Sequence, residues 1–249
     1  MKTFFQHQII ILVLFTIPCS LFPVSSIMSQ QTAKYVKVEV KKGIFLEANF
    51  LIYLPDGYVK KDPKQWPLLL FLHGAGESGD MIDLVKKNGP PMQIEYGKSF
   101  PFIVVSPQSP EEDEEWRIDV LDMLLNELVS QYNIDEKCIF VTGLSMGGTG
   151  TWNLAFAYPG RFAAIVPICG HGDPAQAGKI KDLPVWVFHG AKDDVVPPSD
   201  SESMVNALKA LGSPVKFTLY PDANHDSWTD AYNDPELWKW LLEQCGRSR

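Results

Sequence analysis

Short, unbroken apolar runs alternate with amphipathic stretches along most of the chain. The clearest run, Leu68-Leu69-Leu70-Phe71-Leu72 after Pro67, contains no polar residue. A strand of that composition has to be covered on both faces, as happens in a parallel sheet packed between helices. Similar runs at Phe102–Val105, Ile139–Val141, Ala163–Ile168, Val185–Phe188 and Val215–Leu219 predict further strands. Helical periodicity fills the intervals. Ile118–Tyr132 places Leu121, Leu124, Leu125 and Leu128 on one stripe, Thr149–Tyr158 follows a glycine-rich turn, Ser201–Leu211 carries Met204, Val205, Leu208 and Leu211, and Pro235–Gln244 carries Leu237, Leu241 and Leu242. Two earlier strands, Tyr35–Val40 and Phe45–Leu54, precede Pro55-Asp56-Gly57. The link between them is too short for a crossover, so an antiparallel pair is expected. Strand–helix alternation predicts an α/β class with a mostly parallel central sheet and helices on both faces. Ligands of such sheets bind beyond the carboxyl ends of the strands.

One of those ends carries the strongest chemical signal. The run Cys138-Ile139-Phe140-Val141 leads into Thr142-Gly143-Leu144-Ser145-Met146-Gly147-Gly148, and a helix follows. A Gly-x-Ser-x-Gly sequence between a buried strand and a helix builds a nucleophile elbow. The serine takes a strained backbone conformation, and glycines on either side leave room for the neighbouring backbone. The new helix directs its first N–H groups at developing negative charge. The pattern alone is common; its strand–turn–helix setting makes Ser145 the expected nucleophile.

A serine hydroxyl needs a base. Of five histidines, His7 lies in the N-terminal apolar region. His73 and His189 each precede glycine at a strand end and are expected to brace loops. His171 follows the strand ending near Cys169. Only His225, in Asn224-His225-Asp226-Ser227-Trp228, follows both the serine and a suitable acid, in the order Ser, acid, His. The acid is expected after Val185–Phe188, in His189-Gly190-Ala191-Lys192-Asp193-Asp194-Val195-Val196-Pro197. Asp193 fits an Asp-x-x-Val-Pro spacing; Asp194 is the competitor.

The oxyanion donors are expected from Met146, next to the nucleophile, and from the turn His73-Gly74-Ala75-Gly76-Glu77, where Ala75 is preferred and Gly74 is the fallback. Gln108, Trp116, His171 and Trp228 are candidates to line the pocket, each equally explained by packing. The acidic run Glu111-Glu112-Asp113-Glu114-Glu115 is expected to be a solvated loop, the alternative being a device that repels anionic substrates. The connection from Gly170 to Leu183 is too short for a helical lid, so an open site is expected.

Composition narrows the remainder. The chain has 249 residues, 45% of them hydrophobic, enough for one large core. A formal charge of −8 and the lack of a basic stripe argue against nucleic acid as a partner. Residues 1–26 read as a signal peptide, with Lys2 before the apolar run Ile9–Ile17 and small residues near Ser26. The run is short for a membrane span; an uncleaved anchor is the rival reading. Cys19 follows Pro18, a poor lipidation context. Residues 27–249 then form a single catalytic domain, secreted or periplasmic, with no stable membrane association expected. Cys138, Cys169 and Cys245 remain, allowing at most one disulfide. Cys138 and Cys169 are expected to be buried small hydrophobes.

Taken together, Tyr53-Leu54-Pro55-Asp56-Gly57-Tyr58, Leu72-His73-Gly74-Ala75-Gly76-Glu77, Ser106-Pro107-Gln108, the Ser145 turn and Phe188–Pro197 resemble the α/β-hydrolase superfamily. Within it they look like the phospholipase/carboxylesterase and dienelactone hydrolase-like esterases, and are similar to polyhydroxybutyrate depolymerases and feruloyl esterases. The resemblance spans nearly the whole chain after residue 26. It implies a Ser-Asp-His carboxylesterase without metal or other cofactor. His171 departs from it, standing where relatives are glycine-rich. The expected reaction is hydrolysis of short-chain or aryl carboxylic esters, small or polymer-linked. A feruloyl- or acetylxylan-type esterase or a polyester depolymerase is the alternative; a peptidase and a non-catalytic binding protein on the same scaffold rank lower.

Overall fold

The computed structural model describes residues 31–110 and 115–246. The signal-peptide reading of residues 1–26 and most of the acidic run, Glu111–Glu114, lie outside the described residues. Eight strands form one sheet: β1 Gln31–Lys41, β2 Ile44–Tyr53, β3 Trp66–Leu72, β4 Ile103–Gln108, β5 Ile134–Leu144, β6 Ala164–Ile168, β7 Val185–Gly190 and β8 Val215–Tyr220. Their order is β1-β2-β4-β3-β5-β6-β7-β8. β2 runs antiparallel to β1 and to β4, and all pairs from β4 to β8 are parallel.

Among the described residues, six α-helices cover the sheet: α1 Gly89–Glu95, α2 Ile118–Gln131, α3 Met146–Ala157, α4 Pro198–Ala210, α5 Trp228–Asn233 and α6 Pro235–Glu243. The period of two along β3 sorts its side chains between two cores. Leu68, Leu70 and Leu72 pack with Leu124 of α2, Trp152 of α3 and Met204 of α4. Leu69 and Phe71 pack on the opposite face with Ile94 of α1, Tyr232 of α5 and Leu241 of α6. Both faces are apolar because both are covered, which is why the sequence run had no polar gap.

The structure differs from the sequence expectation, or goes beyond it, in three places. Helices α1 and α5 have only 7 and 6 residues, too short for an apolar period to show. β4 continues through Ser106-Pro107-Gln108, beyond the run Phe102–Val105 that predicted it, because β2 offers partners as far as Asn49↔Gln108. Cys138, expected as a buried small hydrophobe with any disulfide pairing left open, is buried and forms a disulfide with Cys245 across a sequence separation of 107, tying β5 to the segment just past α6. Cys169 is free and buried, as expected. Among the described residues, no helix is long and apolar enough to cross a membrane. The stretch from Gly170 to Leu183 holds only the 3₁₀ segment Pro174–Ile180, so no lid is inserted there.

Adjacent strands end at one level. Leu72 pairs with Gly143, Leu144 with Ile168, Ile168 with Phe188, and Gly190 with Tyr220. The loops after β3, β5, β7 and β8 therefore emerge side by side.

Candidate active site

Ser145 sits between β5 and α3 with φ 53° and ψ −118°. Positive φ is unfavourable for a residue with a Cβ, and here the surroundings enforce it. Its N–H donates to the Ile168 carbonyl at 3.0 Å. The turn closes so tightly that a Cβ on Gly147 would stand 2.0 Å from the Leu72 carbonyl oxygen, and one on Gly143 2.3 Å from the Gly147 oxygen. No side chain fits at either position.

The loop after β8 brings His225 to the serine. Its Nε2 lies 2.9 Å from Ser145 Oγ, and its Nδ1 lies 2.8 Å from Asp193 Oδ2. Asp193 comes from the loop after β7, and its Oδ1 accepts the N–H groups of Val195 and Val196, each at 2.9 Å. Burial opposes ionisation of this carboxyl most strongly, but the His225 bond and the two N–H donors outweigh it and hold its pKa below the usual value. Asp194 is exposed, and its backbone N–H donates to Asn224 Oδ1 at 3.2 Å. The Ser145–His225–Asp193 line thus assembles without Asp194.

Two other histidines hold the loops around this line. His73 Nε2 accepts the Ser109 N–H at 3.0 Å, so its proton is on Nδ1, which donates to the Gly74 carbonyl at 2.6 Å. Burial lowers its pKa to about 4 and keeps the ring neutral. His189 is fully buried, with Nδ1 2.7 Å from Ser201 Oγ, and Nε2 2.9 Å from the Val196 carbonyl and 3.1 Å from Asp193 Oδ2. It packs Asp193 from behind.

The turn after β3 forms the 3₁₀ segment Ala75–Glu77. Within it, the Gly74 N–H donates to Glu77 Oε2 at 3.0 Å, so the fallback donor is already engaged. Ala75 is exposed at the start of this turn, and Met146 is the first residue of α3.

The four candidate pocket residues separate. Trp228 stands edge-to-face with His225, ring centres 5.3 Å apart. Gln108 is buried, with Nε2 bonded to the carbonyls of Glu77 and Met81, and Trp116 is buried, with Nε1 donating to the His73 carbonyl. Both brace the first loop. His171 is exposed; its N–H donates to Thr149 Oγ1 and its Nδ1 lies 3.1 Å from Asp200 Oδ2, tying it to α3 and α4. Glu77 and Asn88 escaped the sequence reading. Asn88 Nδ2 donates to Glu77 Oε1 at 2.8 Å, and Trp228 Nε1 donates to Asn88 Oδ1 at 3.3 Å. Nothing in the local pattern marks these residues, because their partners are remote in sequence.

Among the described residues, Cys169, Asp193 and His225 offer one sulfur, one oxygen and one nitrogen within 4.8 Å of one another. This is the ligand set a metal could use, but His225 Nδ1 and Asp193 Oδ2 already bond to each other, and burial raises the Cys169 thiol to about 12, far from the thiolate a metal requires.

The sheet order, the elbow after β5 and the loops gathered at the strand ends define an α/β-hydrolase. More narrowly, residues 104–235 match the Dienelactone hydrolase family, and the chain belongs to it. A solved thermostable esterase superposes with a TM-score of 0.72 at 31% identity, covering 88% of this chain and 64% of that one. The "Bifunctional acetylxylan esterase/xylanase XynS20E" of Neocallimastix patriciarum is 26% identical over 151 residues, which is 58% of this chain and 21% of that protein. The "Probable feruloyl esterase C" of Aspergillus terreus is 26% identical over 165 residues, 63% of this chain and 59% of that protein. The chain spans less than two thirds of the length of each of these three proteins.

Proposed function

We propose that the chain is a secreted serine carboxylesterase acting on short-chain or aryl esters, small or polymer-linked. One observation carries this reading: Ser145 Oγ, His225 and Asp193 stand in one hydrogen-bonded line, at 2.9 and 2.8 Å. His225 Nε2 takes the hydroxyl proton as Ser145 Oγ attacks the acyl carbon. Asp193 keeps the other ring proton on Nδ1 and balances the imidazolium that forms. The N–H groups of Ala75 and Met146 receive the oxyanion. His225 then returns its proton to the leaving alcohol, leaving an acyl-serine. Water, deprotonated by the same imidazole, releases the acid.

The lack of an inserted lid between Gly170 and Leu183 favours esters presented from solution or from a polymer surface over long lipid chains. The names of the relatives point the same way, towards acetyl and feruloyl groups on plant polysaccharide. Secretion rests on the reading of residues 1–26.

Hydrolysis of nitrophenyl acetate, butyrate and octanoate, methyl ferulate and acetylated xylan by wild type and Ser145→Ala tests the proposal. Wild type should turn over at least one ester, and Ser145→Ala should lose about 10⁵–10⁶ in kcat. Wild type inert towards every ester, or an active alanine variant, overturns it. Preference for ferulate or acetylxylan over the nitrophenyl esters selects the polysaccharide branch.

A further inference from the structure

Glu77 is an acid in an unusual position. It is only 6% exposed. It belongs to the turn that starts beside the nucleophile: a Cβ added to Gly74 would lie 3.6 Å from Ser145 Cβ and 3.4 Å from Glu77 Oε2. The proposed mechanism gives this carboxylate no proton to carry.

Its hydrogen bonds reach both carboxyl oxygens. Indole Nε1–H can only donate, so the Asn88 atom facing Trp228 is the amide oxygen. The Asn88 amide nitrogen must then face Glu77 Oε1, which accepts from it at 2.8 Å. The other oxygen, Oε2, accepts the Gly74 N–H. Both oxygens accept, an arrangement that favours the carboxylate, and these two bonds together with the Lys87 charge oppose the burial that pushes the Glu77 pKa up. Burying an acid this deeply is unfavourable to the fold and calls for another reason to be there.

Resting on the esterase reading above, we propose that Glu77 is a positioning residue: through Asn88 and Trp228 it ties the loop that offers Ala75 to the wall that flanks His225. The hydrogen-bonded chain Gly74–Glu77–Asn88–Trp228 joins the loop after β3 to the start of α5, and Trp228 then meets the imidazole edge-to-face. It sets the distance between two halves of the site that arrive from opposite ends of the chain. By taking the Gly74 N–H out of use, it also selects the Ala75 N–H as the donor left open to substrate.

Glutamine at this position has one acceptor oxygen where two are needed. It therefore releases either Gly74 or Asn88 while keeping the shape. Glu77→Gln, Asn88→Ala, the double variant and Ser145→Ala should be compared on nitrophenyl butyrate, with kcat, KM and Tm for each. Glu77→Gln and Asn88→Ala should each lower kcat about 10- to 100-fold, with KM within about threefold, since they loosen the oxyanion loop and not substrate binding. The double variant should lose little more than the worse single, because both break one chain. Tm of Glu77→Gln should stay within a few degrees of wild type, the released donor being offset by the relief of burying an acid. Wild-type kcat in both single variants overturns the proposal, as does a kcat loss that follows a Tm drop and adds in the double variant. Should Glu77→Gln not fold, Asn88→Ala, at a half-buried position, decides by the same kcat criterion. An active Ser145→Ala would instead overturn the esterase reading, which keeps the two failures apart.

Discussion

Asparagine at Asp193 should cost far more than its loss of one charge suggests, because the local hydrogen bonds dictate which way the amide turns. Asp193 Oδ1 accepts two backbone N–H groups, from Val195 and Val196, each at 2.9 Å, while Oδ2 faces His225 Nδ1 at 2.8 Å. Asparagine has a single acceptor. Aimed at the two N–H groups it satisfies two donors at 2.9 Å; aimed at the imidazole it satisfies His225 Nδ1–H, with His189 Nε2 3.1 Å away but already bonded to the Val196 carbonyl, and leaves two half-buried donors empty. The amide nitrogen therefore faces Nδ1 and can only donate to it. His225 must then carry its proton on Nε2, the atom 2.9 Å from Ser145 Oγ, and can no longer accept from the hydroxyl. A wrong-tautomer triad of this kind loses about 10⁴ in kcat, or about 5.4 kcal/mol at 1.36 kcal/mol per tenfold. Asp194→Asn, at an exposed side chain, should stay within about threefold of wild type. Steady-state hydrolysis of nitrophenyl butyrate at neutral pH measures both, with thermal melts to show that each variant is folded. A larger loss at Asp194, or less than tenfold at Asp193, refutes the reasoning.

Other consequences follow from the packing. Gly147→Ala places a Cβ 2.0 Å from a backbone oxygen that cannot rotate away, and should lower stability by at least about 3 kcal/mol in denaturant titration; a loss under 1 kcal/mol would mean that the elbow is looser than described. Breaking the Cys138–Cys245 bond, which closes a loop of 107 in sequence separation, should destabilise by about 2–5 kcal/mol while leaving the kcat of folded enzyme unchanged, measured by melting Cys138→Ser/Cys245→Ser with and without reductant. His73 should make the protein acid-sensitive. Its pKa is about 4 when folded against an ordinary 6.5, so the unfolded chain binds the proton first and stability falls as pH drops from 6.5 to about 4, by up to about 3 kcal/mol, then levels off below. His73→Gln should remove that slope from urea midpoints measured across the window; an unchanged slope would assign it to other groups.

Much of the site was legible along the chain, and the reason is geometric. In a parallel sheet every strand ends on the same side, so the residues just past each apolar run must meet there. Ser145 after β5, an aspartate after β7 and His225 after β8 could be named from run lengths, turn chemistry and chain order alone. Strands buried on both faces wrote themselves as unbroken apolar runs, as at Leu68–Leu72. What the sequence could not carry were choices made between remote partners. Asp193 was separated from Asp194 by spacing, but it is the pair of N–H groups from Val195 and Val196 and the reach of His225 that hold one carboxylate inside and leave the other in solvent. Three cysteines allowed one disulfide without naming its partners, and only the packing of α6 brought Cys245 against Cys138. Gln108 and Trp116 stood evenly between lining a pocket and packing, and only the fold shows their polar atoms bonded to the backbone of the first loop. Glu77, Asn88 and Trp228 span 151 positions in the numbering and show no common pattern, yet they form one hydrogen-bonded chain. Periodicity records which face of an element is buried, a property each segment carries by itself. Which polar atom satisfies which is a property of the assembled fold, decided only when loops far apart in sequence share one strand edge.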